Sequence, residues 1–192
     1  MTGVQTCALP ISYEVTFTDV EVPVENLLGE EGKGFSIANS LLVAQRMPYA
    51  AGTIGIAQAS LEMAIEWAKN REAFGSKLAD KQAIQWMIAD SEIELRAARL
   101  LVYQSAWNAD MGRNIKVDAS IAKVYGTETA GRVVDRCIQI LGGMGVAQEL
   151  PLERWYREMR IKRIGEGPSE VHRMVVARHL LGTGTRRTPK GE

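Results

Sequence analysis

The chain has 192 residues, 46% of them hydrophobic and 24% charged, and its 23 basic residues balance 23 acidic ones. That composition supplies a folded core, excludes disorder over most of the length, and gives no support to bulk nucleic-acid or anionic-membrane binding. No apolar run approaches the roughly 20 residues of a membrane span, and two cysteines, Cys7 and Cys137, cannot build a structural zinc site alone.

Met1 to Ile11 has no basic n-region and no strand or helix period, so it reads as a leader unrelated to the domain that follows. Residues 13–22, YEVTFTDVEV, alternate apolar and polar side chains as a strand does, until Pro23 blocks further pairing. A loop with glycines at 29, 32 and 34 follows, and from Phe35 the pattern is helical. The first helix is predicted over 35–69, where Gly52 and Gly55 would let another helix or a ligand come close. The second covers 80–111, with Ile84, Met87, Ile88, Leu95, Ala98 and Val102 as its apolar stripe and Glu92–Arg96 as an i,i+4 pair. The third covers 116–140, with Ile121, Val124, Val134, Ile138 and Leu141 as core candidates, and stops at Gly142-Gly143. Pro151 opens a fourth to about Arg160, and Ser169 can cap a fifth over 170–181. Together they predict an all-α, up-down four-helix bundle preceded by a remnant β-strand.

Three loops carry more polar chemistry than a plain bundle needs. In NREAFG, residues 70–75, Arg71 is either a bidentate anion binder beside a tight Phe74-Gly75 turn or a solvated helix-end arginine. In QILGG, residues 139–143, Gln139 and two glycines either receive a flat or phosphorylated ligand or simply terminate a helix. In RIGEGPSEVHR, residues 163–173, Glu166 stands between Gly165 and Gly167. It is either a surface glutamate or a base that can approach a substrate carbon, with backbone N–H groups facing an oxyanion. A di-iron bundle would need two Glu-x-x-His motifs; Glu170-Val171-His172 has the wrong spacing and no second copy. His172 and His179 read as packing or surface residues.

The stretches VEVPVENLLGEEGKGF, NREAFG, ADKQAIQ, QILGGMGV, PLERWYRE and GEGPSEVHR, in this order over residues 12–181, resemble the C-terminal part of the acyl-CoA dehydrogenase family. The resemblance implies that 12–31 is the end of a middle β-domain, 32–182 a C-terminal four-helix bundle and 183–192 a flexible tail, with residues 1–11 foreign to the family pattern. It implies FAD as cofactor, an acyl-CoA substrate, a homodimer or homotetramer, and an electron-transfer flavoprotein as electron acceptor. The compartment would be the bacterial cytoplasm or a mitochondrial or peroxisomal matrix.

Carried over residue by residue, the resemblance makes Glu166 the catalytic base and places Arg46 and Gly167 against the acyl-CoA. The alternative site for the base, immediately before Arg46, holds Gln45, which cannot ionise. Arg71, Phe74 and Gln82 would reach the flavin dinucleotide across a dimer interface. Gln139, Gly142 and Gly143 would touch its adenosine half, and Pro168, Ser169 and Glu170 the flavin of the same subunit. Pro168 stands where many members have Thr, which removes a hydroxyl and an N–H donor. Two other readings use the same residues: a helical oligomerisation module without catalysis, and a flavin monooxygenase or oxidase, whose members often lack the loop carboxylate.

Overall fold

The six apolar positions Ala50, Ile54, Ala57, Leu61, Ala64 and Ala68 recur every three or four residues along one continuous helix, α1 (Gly34–Asn70), and all six are buried. At 37 residues α1 is about 55 Å long. This computed structural model describes residues 16–183, so the leader at 1–11 and nearly all of the 183–192 tail lie outside the described residues. A short antiparallel hairpin follows α1, with β1 (Glu72–Ala73) paired to β2 (Ser76–Lys77), Glu72 opposite Lys77 and Ala73 opposite Ser76. Phe74 and Gly75 at its tip have φ of 54° and 78°, as the tightest hairpin turns require at both central residues. The tight turn there was legible; its two-residue strands are too short to show alternation.

After a single 3-10 turn come α2 (Gln82–Asp110), α3 (Lys116–Leu141), a one-turn α4 (Gly143–Val146), α5 (Leu152–Lys162) and α6 (Ser169–Leu180). α3 is the hub: α1, α2, α5 and α6 all pack on it, so the bundle is α1, α2 and α3 with the two C-terminal helices each laid against α3. Its buried face is mostly small: Ala119, Ala122, Gly126 and Ala130, then Val133, Val134 and Cys137. Small side chains let two helix backbones approach. At Gly126 an added Cβ would lie 3.3 Å from the Cβ of Ala50, so this glycine sets how closely α1 and α3 pack. α2 contributes Leu95, Ala98 and Val102 to the same core, with Ile84, Met87 and Ile88 half-buried against it.

Four expectations need correction. Residues 16–22 form no strand, because among the described residues no second strand lies beside them to pair with; residues 13–15 fall outside the described residues. Ile121, Val124 and Ile138 are half-buried rather than core, since the alanines between them face the α1 seam. Gly52 and Gly55 are exposed with open space before them, so no helix among the described residues uses the room they leave, and only the approach of a ligand is left open. Ser169 is the first residue of α6 rather than its cap; Pro168 occupies the cap position and no side chain bonds the first-turn N–H groups.

Candidate active site

The loop 163–168 joins α5 to α6 and turns sharply. Glu166 has φ of 54° and Gly167 has φ of 98°, so a non-glycine residue adopts a left-handed conformation beside a glycine that needs one. Left-handed backbone costs a residue with a Cβ on the order of 1–2 kcal/mol and persists only when the surroundings impose it. Several contacts impose it. The Gly165 N–H donates to the Ile161 carbonyl at 3.0 Å and the Ser169 N–H to the Arg163 carbonyl at 3.1 Å. The Lys123 ammonium, reaching from α3, donates to the Gly167 carbonyl at 2.7 Å. His172 Nε2, from the first turns of α6, lies 3.2 Å from the Glu166 carbonyl, and its Nδ1 lies 3.3 Å from Ser120 Oγ. Any Cβ on Gly165 would come within 2.6 Å of the Tyr49 hydroxyl.

The loop therefore stands over a buried charge cluster. Arg46 from α1 is buried, and Lys123 and His172 are fully so. Burial lowers the Arg46 guanidinium from its ordinary value, with Glu166 opposing, and raises the Tyr49 phenol, with Glu166 adding to the rise. Burial likewise pushes Lys123 down to about 8 against the pull of Glu166. His172 is held at about 4 by burial and then by the nearby Arg46, so its imidazole is neutral. Five polar atoms here are buried without a hydrogen-bond partner: Arg46 Nε, Arg46 Nη1 and Glu166 Oε2, with Arg163 Nε and Ser169 Oγ at the two ends of the loop. Buried polar groups are normally satisfied, so a guanidinium and a carboxylate left open at one place mark a site that receives a polar group from outside. The structure thus brings together Arg46, Glu166 and Gly167, with Pro168, Ser169 and Glu170 beside them at the start of α6. Gln45 is exposed, next to Arg46 on α1.

The other two loops meet elsewhere. Arg71, Trp67, Leu78, Gly142, Gly143 and Met144 line one open cavity of about 580 Å³, the Arg71 guanidinium lying 5.9 Å from the Trp67 ring centre. Gly142 has φ of 61° and, with Gly143, is exposed and faces open space. Bare backbone, apolar walls and one cation fit a flat, phosphorylated cofactor of the FAD type. Phe74 is 99% exposed at the hairpin tip, and Gln82 and Gln139 are exposed as well. Arg46 lies on α1 and Arg71 caps its C-terminus 25 residues further on, hence about 37 Å along the helix. The two clusters belong to separate places on the molecule.

Sequence reasoning overlooked Tyr49 and Lys123. Lys123 carried a readable signal: it lies in the Ala119, Ala122, Gly126, Ala130 stripe, where a charged residue has no solvent to face. His172 packs, as its sequence context predicts, though against the very loop that holds Glu166. His179 is exposed. Cys137 is a free, buried thiol whose burial pushes it up to about 12; Cys7 lies outside the described residues. Among the described residues no group of three or more His, Cys, Asp or Glu could hold a metal ion, and no helix is long and apolar enough to cross a membrane.

Fold and site define a helical bundle whose carboxylate loop lies over a buried arginine and lysine. The family described as "Acyl-CoA dehydrogenase, C-terminal domain" matches residues 32–181, and the chain belongs to it. It is 46% identical over 165 residues to the mitochondrial short-chain specific acyl-CoA dehydrogenase of Rattus norvegicus, a match covering 86% of this chain and 40% of that one. Butyryl-CoA dehydrogenase from Megasphaera elsdenii superposes with a TM-score of 0.83 at 44% identity, over 86% of this chain and 43% of that one. A chain in the structure of the electron transferring flavoprotein of Acidaminococcus fermentans, concerned with flavin-based electron bifurcation, superposes with a TM-score of 0.83 at 41% identity, over 86% and 43%. The chain spans about two-fifths of the length of the curated relatives it matches.

Proposed function

We propose that this chain carries the catalytic base and part of the cofactor site of an FAD-dependent acyl-CoA dehydrogenase, which converts an acyl-CoA thioester to the trans-2-enoyl-CoA. The observation that carries the reading is Glu166 Oε2, buried and unpartnered beside an unpartnered Arg46. Glu166 takes the α-proton on that oxygen. Arg46 and Lys123 keep the carboxylate in a positive surrounding, which favours a site that must hold negative charge on the thioester as the proton leaves. Gly167, next to the base, would lie against the acyl-CoA, while the space a side chain would need there is taken by the His172 ring. FAD, when bound, supplies the acceptor for the hydride leaving the β-carbon. The names of the relatives favour a short acyl chain.

Arg71, with Gly142 and Gly143, would hold the dinucleotide, together with Phe74, Gln82 and Gln139. Pro168, Ser169 and Glu170 would meet the flavin next to the base. The 37 Å between the two clusters supports the view that one cofactor draws on two subunits. A second copy would also cover α2, where Trp86, Ile93, Leu100 and Trp107 recur every seven residues and are each more than half exposed. The residue ranges proposed for the parts are 12–31 for the end of a β-domain and 32–182 for the bundle. A homodimer or homotetramer and an electron-transfer flavoprotein complete the proposal. Glu166 speaks for the dehydrogenase over a monooxygenase or oxidase on the same scaffold.

The test is Glu166→Gln in the full-length protein. Flavin should be retained and acyl-CoA dehydrogenation should fall on the order of 10²–10⁴-fold, the usual effect of losing a general base. Unchanged turnover would overturn the assignment.

A further inference from the structure

We infer that Lys123 and His172 are positioning residues: together they clamp the backbone of the Glu166–Gly167 turn and thereby aim the Glu166 carboxylate. Both are fully buried, both reach the turn from helices outside it, and they hold consecutive carbonyls, Lys123 that of Gly167 at 2.7 Å and His172 that of Glu166 at 3.2 Å. A fully buried lysine is rarely kept for packing, since losing its hydration must be offset by a specific bond. Here that bond goes to the glycine following the carboxylate, from a helix 44 residues earlier in the chain.

The histidine's chemistry fits the same role. A carbonyl can only accept, so Nε2 carries the ring's proton and donates it to Glu166 O. The ring is neutral, so Nδ1 is left as an acceptor facing Ser120 Oγ at 3.3 Å. Ser120 has one proton to give, to Nδ1 or to the Lys116 carbonyl at 2.8 Å, and in either case the hydroxyl stays on α3 against the ring. The chain of contacts runs from α3 through Ser120 and His172 to the turn, while Lys123, one helical turn further along α3, reaches the next carbonyl directly. α6 is tied to the same stretch of α3 by a two-pronged Arg173–Glu128 pair, both oxygens at 2.7 Å. Two donors on a rigid frame hold a left-handed pair at φ of 54° and 98°, a conformation that Gly167 takes readily and that costs Glu166, with its Cβ, unless its surroundings impose it. Space around the turn is already full: an added Cβ on Gly167 would lie 3.0 Å from His172 Nε2.

The inference rests on the proposed role of Glu166 only for its consequence in turnover; the clamp itself is tested without it. Amide hydrogen exchange across residues 163–170 would be compared in the 192-residue chain and its Lys123→Met, Lys123→Arg, His172→Leu and His172→Gln variants, with far-UV circular dichroism to report the bundle. Lys123→Met and His172→Leu should speed exchange in the turn about tenfold, the loss of one buried bond, while α1 to α3 keep their protection. Lys123→Arg and His172→Gln, which retain a donor, should restore much of it. Turn protection unchanged in a folded Lys123→Met would overturn the lysine's part, and in a folded His172→Leu the histidine's. A variant that loses the helical signal altogether would show that its residue holds the bundle rather than the turn, which also overturns its part. In the full-length protein, Lys123→Met should lower kcat about 10²-fold with little change in KM, with partial rescue by Lys123→Arg. A KM effect alone would assign the lysine to substrate binding instead. Loss of the clamp with unchanged turnover would leave the geometry standing and remove Glu166 from the chemistry.

Discussion

Glu166 and His172 show what a sequence reveals about a single residue and what it hides. The glycines on either side of Glu166 are visible in the chain, and they announce a turn in which a carboxylate stands clear of its neighbours. What holds that turn is not visible, because Lys123 is 44 residues from Gly167 and a lysine in a run of alanines reads first as a surface residue. The buried histidine has a measurable signature. Its value near 4, against 6.5 in an open chain, means that the unfolded protein takes up a proton between these limits and the folded protein does not. Stability is therefore fully present above pH 6.5 and lost as pH falls toward 4, by up to about 3 kcal/mol. Around the ring lie Arg46 and Lys123, both cations that oppose its protonation, and Ser120 and the Glu166 carbonyl, neither of which titrates. In His172→Gln the decline between pH 6.5 and 4 should disappear. A decline at lower pH should remain. Glu94 is held low by Arg136 and Arg132 despite burial, and Glu128 by Arg173, so both lose their stabilising charge only in more acid solution. Urea unfolding at a series of pH values measures this; an unchanged slope above pH 4.5 would refute it.

At the scale of elements, helices were legible wherever the apolar period was long. α1, α2, α3 and α6 begin and end within two residues of expectation, because Asn70-Arg71, Gly112 and Gly142 punctuate them as the pattern requires. The hairpin and α4 were not legible, since two-residue strands and a single helical turn are shorter than any period that marks them. The 13–22 alternation misled over its described part, because alternation records a residue's fitness for a sheet and not the presence of one. The period that built α1 also ranks its side chains. Leu61 is 1% exposed among α1, α2 and α3, and Leu100 on the outer face of α2 is 69% exposed. Leu61→Ala should cost about 2–5 kcal/mol in chemical denaturation, and Leu100→Ala within about 0.5 kcal/mol at concentrations where the chain is monomeric. The Arg71 loop gives a second expectation. Arg71→Ala in the full-length protein should weaken flavin binding by about 1.5–3 kcal/mol, the worth of a charge-assisted bond, and loosen the oligomer with it. Flavin titration with sedimentation checks both, and wild-type values would make Arg71 a plain surface cation.

The whole molecule shows its surroundings through what it leaves uncovered. Phe17, Val24, Leu28 and Phe35 near the start of the described chain are at least three-quarters exposed, and the α2 stripe adds two tryptophans, an isoleucine and a leucine. Apolar side chains at that density on one monomer mark faces that something else covers. The two clusters that would serve one cofactor lie at distant points of α1, so a single bundle presents two half-sites rather than one enclosed pocket, and a half-site surrounds less of a ligand and excludes less water. Expressed by themselves, residues 1–192 should therefore give a mostly helical protein that self-associates, retains little or no flavin and shows no measurable dehydrogenation, with Glu166 intact. Leu100→Glu with Trp107→Glu should shift its sedimentation toward the monomer without loss of helical signal, since both side chains lie outside the core. The measurements are far-UV circular dichroism, sedimentation velocity, a visible spectrum for bound flavin, and turnover of acyl-CoA substrates of several chain lengths with an artificial electron acceptor. Stoichiometric flavin or clear turnover would mean that two bundles suffice to enclose the site. A monodisperse monomer would mean that the heptad stripe is not a subunit seam, and the proposed sharing of one cofactor between subunits would fail with it.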